Sequence, residues 1–99
     1  MQITSTQILT AICTQLQVTP SELSQKKVRR QALKIVEAKQ IAAYMLLKYT
    51  RSTVRQVSIM LGYANLTNAF KMRKRIIRIA TVDKDLRQKL IDLETAIGL

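Results

Sequence analysis

The segment "STVRQVSIMLGYANLTNAFKMRKR", residues 52–75, decides the fold because two helical patterns flank a glycine turn within it. Thr53 and Gln56 have the three-residue spacing of a capping box, which begins a helix. Apolar residues follow at helical spacing, namely Val54, Val57, Met60 and Leu61. Gly62 then stands where a left-handed residue commonly ends a helix. The segment therefore predicts a short helix that stops sharply before a second one.

The second helix is predicted from about Leu66 to Ala80, with Asn65 as its cap. Its inward stripe is expected to consist of Leu66, Ala69, Phe70, Ile76 and Ile77. We expect the ring of Phe70 in the core rather than as a platform on which a nucleic-acid base stacks. A short helix, a glycine turn and a longer helix make a helix-turn-helix pattern, whose second helix enters the major groove of DNA.

The opposite face of this helix is polar and cationic. Its N-terminal part carries side chains that can hydrogen-bond to base edges: Asn65, Thr67, Asn68 and Lys71. Its C-terminal part carries cations suited to phosphates: Lys74, Arg75 and Arg78. A charge run by itself usually marks only a solvated face, so the rest of the chain has to decide between the two interpretations.

Helical patterns continue on both sides of this unit. A first helix is expected from Ile3 to Leu16, capped by Thr4 or Ser5. A short helix is expected within "VTPSEL", residues 18–23, with Thr19 as its cap, Pro20 at its first position and Leu23 as its apolar anchor. A long helix ends near Thr50. The last helix begins at Asp83 and Asp85, and its leucines at 86, 90 and 93 are followed by Ile97. Two glycines and one proline in 99 residues also favour helices. We predict a single all-α domain over residues 1–99, with five to six short helices around one core.

Positive charge is concentrated in the middle of the chain. Residues 26–78 contain 14 Lys and Arg residues against one acid, Glu37, out of a net charge of +11 for the whole chain. Residues 1–25 and 79–99 each sum to −1. A concentrated polycation fits a polyanionic partner, since each phosphate that it neutralises releases counterions. Four cations lie close together in a basic loop that we expect to be exposed and to contact the phosphates of such a partner: Lys26, Lys27, Arg29 and Arg30.

The composition argues against several classes of protein. Cys13 is the only cysteine and histidine is absent, so neither an internal disulfide nor a zinc site is expected. No acid–base or nucleophilic set is visible, and we expect neither enzymatic activity nor a cofactor. No apolar run approaches about 20 residues, so no membrane partner is expected. We expect a cytoplasmic, nucleoid-associated protein.

Nearly the full chain resembles the C-terminal DNA-binding domain (domain IV) of the bacterial replication initiator DnaA, which has a Trp-repressor-like helical fold. The resemblance rests on "IT" at 3–4, the basic loop 24–34, "KQIAAYML" at 39–46, Gly62 and "DLRQKLIDLETAI" at 85–97. It implies that Arg29 and Arg30 enter the minor groove. It also implies that Lys39 and Gln40 touch the DNA backbone. Thr67 matches the first threonine of the family signature.

The signature itself differs. The family sequence Gly-Gly-Arg-Asp-His-Thr-Thr-Val is replaced by Gly-Tyr-Ala-Asn-Leu-Thr-Asn-Ala at residues 62–69. The base-reading Arg, Asp and His are therefore lost, and we do not expect binding to the initiator's usual DNA box. The chain also lacks the phosphate-binding pattern G-x-x-x-x-G-K-[ST], so ATP-driven initiation by this chain alone is not expected.

Other functions stay open at the level of sequence. Residues 61–75 also resemble the second helix-turn-helix of AraC-type activators, although residues 19–38 are too short for that family's insertion and the 85–97 helix has no counterpart there. We favour double-stranded DNA binding in replication initiation or its regulation, with other replication or regulatory proteins as further partners. The alternatives are an AraC-like transcriptional regulator and a basic module for an acidic protein or an anionic surface. RNA binding is a weaker variant because aromatic residues are scarce.

Overall fold

The computed structural model describes residues 3–24 and 33–98, which form six α-helices around one core. The helices are α1 (Ser5–Leu16), α2 (Pro20–Ser24), α3 (Leu33–Tyr49), α4 (Val54–Met60), α5 (Asn68–Val82) and α6 (Lys84–Ala96). No strand occurs within the described ranges, and the predicted all-α fold with five to six helices is confirmed.

The long helix α3 is the centre of the structure. It packs against α1, α2, α4 and α5, and its pairing with α5 is the most extensive in the molecule. Its interior face is formed by Ile35, Ala38, Ile41, Ala42, Ala43, Met45 and Leu46. Three small alanines on this face allow neighbouring helices to approach closely. The helix-turn-helix unit is thereby fixed directly to the most buried part of the fold.

The predicted N-terminal caps Thr4 and Thr53 are present, and Asp83, predicted only as an acid at the start of the last helix, forms a third cap. The Thr4 hydroxyl accepts the backbone N–H of Gln7 at the start of α1, and the Gln7 side chain accepts the N–H of Thr4. Thr53 and Gln56 form the same reciprocal pair at α4. At α6 the Asp83 carboxylate accepts the N–H of Leu86. Each cap satisfies backbone donors that a helix leaves unpaired, which is why these helices begin where they do.

The short α2 begins in the predicted way as well. The Thr19 hydroxyl accepts the N–H of Glu22 at 3.1 Å, and the Glu22 carboxylate accepts the N–H of Thr19 at 2.9 Å. This hydrogen bond lowers the pKa of the Glu22 carboxyl because it stabilises the charged form. Leu23 is buried and anchors the turn to the core, as expected.

The inward stripe predicted for the second helix of the unit is partly wrong. Ala69 and Ile76 are buried, but Leu66, Phe70 and Ile77 are 41%, 38% and 49% exposed. The helix begins at Asn68 rather than near Leu66, and it ends at Val82 rather than Ala80. Met72, Ile79 and Ala80 pack against the core in place of the exposed residues. Residues 66, 70 and 77 lie along one edge of the face that contacts the core, so the predicted stripe is displaced toward that edge.

No described helix combines the length and the apolarity that crossing a membrane requires. Within the same residues, no group of three or more His, Cys, Asp or Glu side chains is arranged to hold a metal ion.

Candidate nucleic-acid interface

The turn between α4 and α5 is built on Gly62. This residue has φ of 70°, in the left-handed region that a side chain makes unfavourable. The Tyr63 N–H donates to the carbonyl of Ser58 at 2.9 Å, and the Gly62 N–H donates to the carbonyl of Ile59 at 3.1 Å. Together these two bonds form a Schellman motif, which ends α4 abruptly and sends the chain back toward α5.

A buried hydrogen bond connects the two helices of the unit. The Ser58 side chain on α4 is completely buried, and its hydroxyl accepts the N–H of Ala69 at 3.1 Å. Ala69 is the second residue of α5, whose own N-cap residue, Thr67, makes no side-chain capping bond. Ser58 therefore caps α5 from the neighbouring helix and sets the relative position of the two helices. Ser58 is not among the residues predicted for the site, although it is the only polar side chain in residues 57–61 and could have been identified for that reason.

Asn65 has a different part from the one predicted. Its side-chain oxygen accepts both the N–H of Thr67 at 2.9 Å and the Thr67 hydroxyl at 2.7 Å. The residue therefore shapes the turn before α5 rather than capping the helix itself. These bonds use only the amide oxygen, so the two N–H donors of the Asn65 amide are not consumed by them.

The turn is also attached to α3. The Lys39 amine lies 5.7 Å from the centroid of the Tyr63 ring, within the range of a cation–π contact. Lys39 is only 2% exposed, and burial lowers the pKa of its amine. Burial also raises the pKa of the Tyr63 hydroxyl. The Tyr63 ring therefore helps to dock the turn on α3.

Burial corrects the expectation for Lys39 and Gln40, which came from the resemblance alone. The two residues are 2% and 8% exposed, so their side chains are not available at the surface for a DNA backbone. Both residues are buried in α3 together with its apolar residues. The sequence pattern did not distinguish these buried polar residues from exposed ones.

The outward face of α5 carries the predicted polar and cationic residues. Thr67, Lys71, Lys74, Arg75 and Arg78 are all exposed, Asn65 is exposed in the preceding turn, and Asn68 is half-buried at the edge of the face. At 100° per residue, Thr67, Lys71 and Arg78 lie opposite Ala69 and Ile76, whose side chains enter the core. The same face therefore gathers hydrogen-bonding groups near the start of α5 and cations toward its end.

Helix α5 contains no Asp or Glu. Glu37 on α3, the single acid of residues 26–78, is 3.1 Å from the Lys89 amine of α6, and this is the one ion pair within residues 3–24 and 33–98. The Glu37 carboxylate is thus paired with a lysine outside the basic segment rather than with a cation of α5.

The basic loop lies outside the described residues. Lys26, Lys27, Arg29 and Arg30 all fall within 25–32, so their predicted contacts with the DNA backbone or minor groove stay predictions. The described chain resumes at Leu33 with the first turn of α3.

The sequence matches no known family model and no curated protein.

Proposed function

We propose that this protein binds double-stranded DNA through α4, the Gly62 turn and α5, with α5 lying in the major groove. The observation that carries the proposal is the outward face of α5, which is exposed, free of acids and rich in cations. In a helix-turn-helix, one helix supports the second so that the outward face of the second can enter the major groove. Helices α4 and α5 have this arrangement. Residues 26–30 would add contacts with the DNA backbone or the minor groove.

The proposal divides the outward residues by their chemistry. Asn65, Thr67, Asn68 and Lys71 would bond to base edges, since they lie at or before the first turn of α5 and carry hydrogen-bonding side chains. Lys74, Arg75 and Arg78 would neutralise phosphates. Binding by such a face weakens steeply with salt, and neutralising about six phosphates gives a log–log slope of about −5.

We propose replication initiation or its regulation as the setting, with other replication or regulatory proteins as partners. The order of motifs that resembles DnaA domain IV supports this setting. The altered residues 63–66 argue for a target different from the initiator's usual box. An AraC-like regulator would use the same unit in the same groove, so DNA binding does not depend on the choice between the two families.

The experiment is a fluorescence anisotropy titration of random and selected duplexes at 50–200 mM salt. The double variant Lys71→Gln/Arg78→Gln removes two charges from the outward face of α5. The control Lys84→Gln/Arg87→Gln removes two exposed charges from α6. We expect the first variant to weaken binding at least tenfold and to make the salt slope shallower by about 1, because Arg78 is the phosphate contact of the pair, while the control changes affinity less than threefold. Equal effects of both pairs, or no binding by the wild type at 50 mM salt, would refute the proposal.

A second candidate function is docking of an acidic protein segment. It is favoured by an open groove of about 380 Å³ between α5 and α6, lined by Tyr44, Ile77, Ala80, Thr81, Arg87, Leu90 and Ile91. Ile77 and Ile91 are about half exposed there, and Arg87 supplies a cation on the groove wall. A wild-type protein that fails to bind duplexes but binds an acidic amphipathic peptide, and loses it on Ile91→Ser, would favour this second function.

A further inference from the structure

Phe70 occupies an unusual place for a large aromatic side chain. It is the third residue of α5 and 38% exposed, although the hydrophobic pattern predicted it in the core. Phe70 lies one residue before Lys71 and about 40° around the helix from Lys74, so it borders the outward face. Leu66, four residues earlier, is 41% exposed and extends the same apolar edge into the turn.

Two cations hold the ring at the surface. The Lys74 amine lies 4.5 Å from the ring centroid, and the guanidinium carbon of Arg73 lies 5.1 Å from it. Cation–π contacts of this kind orient an aromatic ring without burying it. The ring therefore offers an apolar surface that is set among positive charges.

The positive charge around the Phe70 ring limits the kinds of ligand that can contact it. An apolar group that meets Phe70 must be carried by something that tolerates or seeks two neighbouring cations. The major groove of DNA presents one such group, the C5-methyl of thymine, flanked by phosphates on both strands. Thymine differs from cytosine at this point of the major groove, because cytosine carries hydrogen at C5 where thymine carries the methyl group.

We propose that Phe70 is a specificity-determining residue whose ring contacts the C5-methyl of a thymine, or of a 5-methylcytosine, at one position of the DNA site. The inference rests on the proposed function, because it requires α5 to lie in the major groove. It adds a chemical class to the recognised site: a methyl-bearing pyrimidine opposite the first turn of α5. Lys74 and Arg73 position the ring, and Lys74 is also one of the cations proposed to neutralise phosphates.

The test uses duplexes enriched from a random library by the full chain. Each thymine of the selected site is replaced singly by deoxyuridine, which lacks only the methyl group. At one or two positions we expect wild-type affinity to fall about fourfold, the worth of one buried methyl group. A cytosine placed at that position should bind more weakly than 5-methylcytosine by a similar factor.

The variants assign the effect to Phe70. Phe70→Ala should bind the thymine and deoxyuridine duplexes equally, and Phe70→Leu should retain part of the discrimination. The control Ile77→Ala removes another exposed apolar side chain two turns further along α5 and should discriminate as the wild type does. Circular dichroism of each variant checks that the helices are intact.

The two proposals fail in different ways. If the selected duplex binds but no thymine-to-deoxyuridine change alters affinity beyond 1.5-fold, or if Phe70→Ala keeps the discrimination, the role of Phe70 is overturned while DNA binding stands. The role of Phe70 would also be overturned if Phe70→Ala left the DNA affinity unchanged but abolished binding of the acidic amphipathic peptide. If no duplex binds, or selection enriches no position containing thymine, the role of Phe70 falls, and in the first of these cases DNA binding falls with it.

Discussion

The hydroxyl of Ser58 accepts the backbone N–H of Ala69 across the interface of α4 and α5, and both residues are fully buried. A helix is thereby capped by a side chain eleven residues earlier in the chain rather than by its own N-cap residue. The bond links the end of one helix to the start of the next through a main-chain atom. It therefore constrains the angle at which α5 meets any ligand.

The first prediction concerns this bond. Ser58→Ala removes the acceptor and leaves the N–H of Ala69 buried without it, so we expect the free energy of unfolding to fall by about 1–3 kcal/mol. Urea denaturation measures the change. The variant Thr53→Ala removes an exposed N-cap of α4 and should lower it by about 1 kcal/mol. A loss on Ser58→Ala smaller than that on Thr53→Ala would contradict a buried capping role.

The second prediction concerns Gly62. Its φ of 70° imposes a penalty on any residue with a Cβ, so Gly62→Ala should lower the free energy of unfolding by about 1–2 kcal/mol. Gly62→Asn should lower it less, since asparagine tolerates the left-handed region better than alanine. Thermal denaturation of both variants gives the comparison. Equal stability of the alanine variant and the wild type would show that the turn adopts another conformation.

The third prediction separates the exposed from the buried apolar residues of α5. Ile76 is 1% exposed, and Ile76→Ala should lower the free energy of unfolding by about 2–5 kcal/mol. Phe70→Ala should lower it by about 1–2 kcal/mol, because more than a third of the residue already meets solvent and the loss is limited to its remaining buried surface and its contacts with Arg73 and Lys74. Comparable losses in urea denaturation would place Phe70 in the core after all.

The fourth prediction concerns pH. Burial lowers the pKa of the Lys39 amine, so the unfolded chain binds more protons than the folded one between the two pKa values of this group. The contribution of Lys39 to the free energy of unfolding therefore rises with pH in a window that ends near the ordinary lysine value of about 10.4. We expect the free energy of unfolding of the wild type to rise relative to that of Lys39→Met between pH 8 and pH 10. The rise is at most about 1.4 kcal/mol per pH unit.

Urea denaturation at pH 7, 8, 9 and 10 measures this difference. Lys84→Met, at an exposed lysine on α6, provides the baseline for removing an amine from the surface. A difference between wild type and Lys39→Met that stays constant, or moves the other way, would mean that the amine is not disfavoured by burial.

Local signals predicted the helices well. Thr4, Thr19 and Thr53 are short-range caps whose partners lie three residues away, and each was among the cap residues predicted from the sequence. Gly62 was identifiable for the same reason, because a left-handed turn needs a particular residue type. Such features depend on neighbours in sequence, which the sequence itself supplies.

The candidate site was predicted less completely because its decisive features depend on other helices. Ser58 meets Ala69, and Lys39 meets Tyr63, across 11 and 24 positions of sequence. Phe70 was assigned to the core because hydrophobicity does not reveal which edge of an amphipathic stripe meets the neighbouring helix. Charge placement on α5 was predicted correctly, since exposure follows from the opposite face being apolar. The DNA contacts themselves stay predictions.

Because the cap from Ser58 is buried, the residues that align α5 differ from those that α5 exposes to a ligand. The alignment of the helix depends on a main-chain N–H and on residues in the interior, whereas Thr67, Lys71 and Arg78 are exposed side chains on its far side. Substitutions at those outward positions can therefore accumulate without disturbing the scaffold. An evolving lineage could exchange one target for another in small steps, and a designer could reprogramme the same helix by varying only its outer surface.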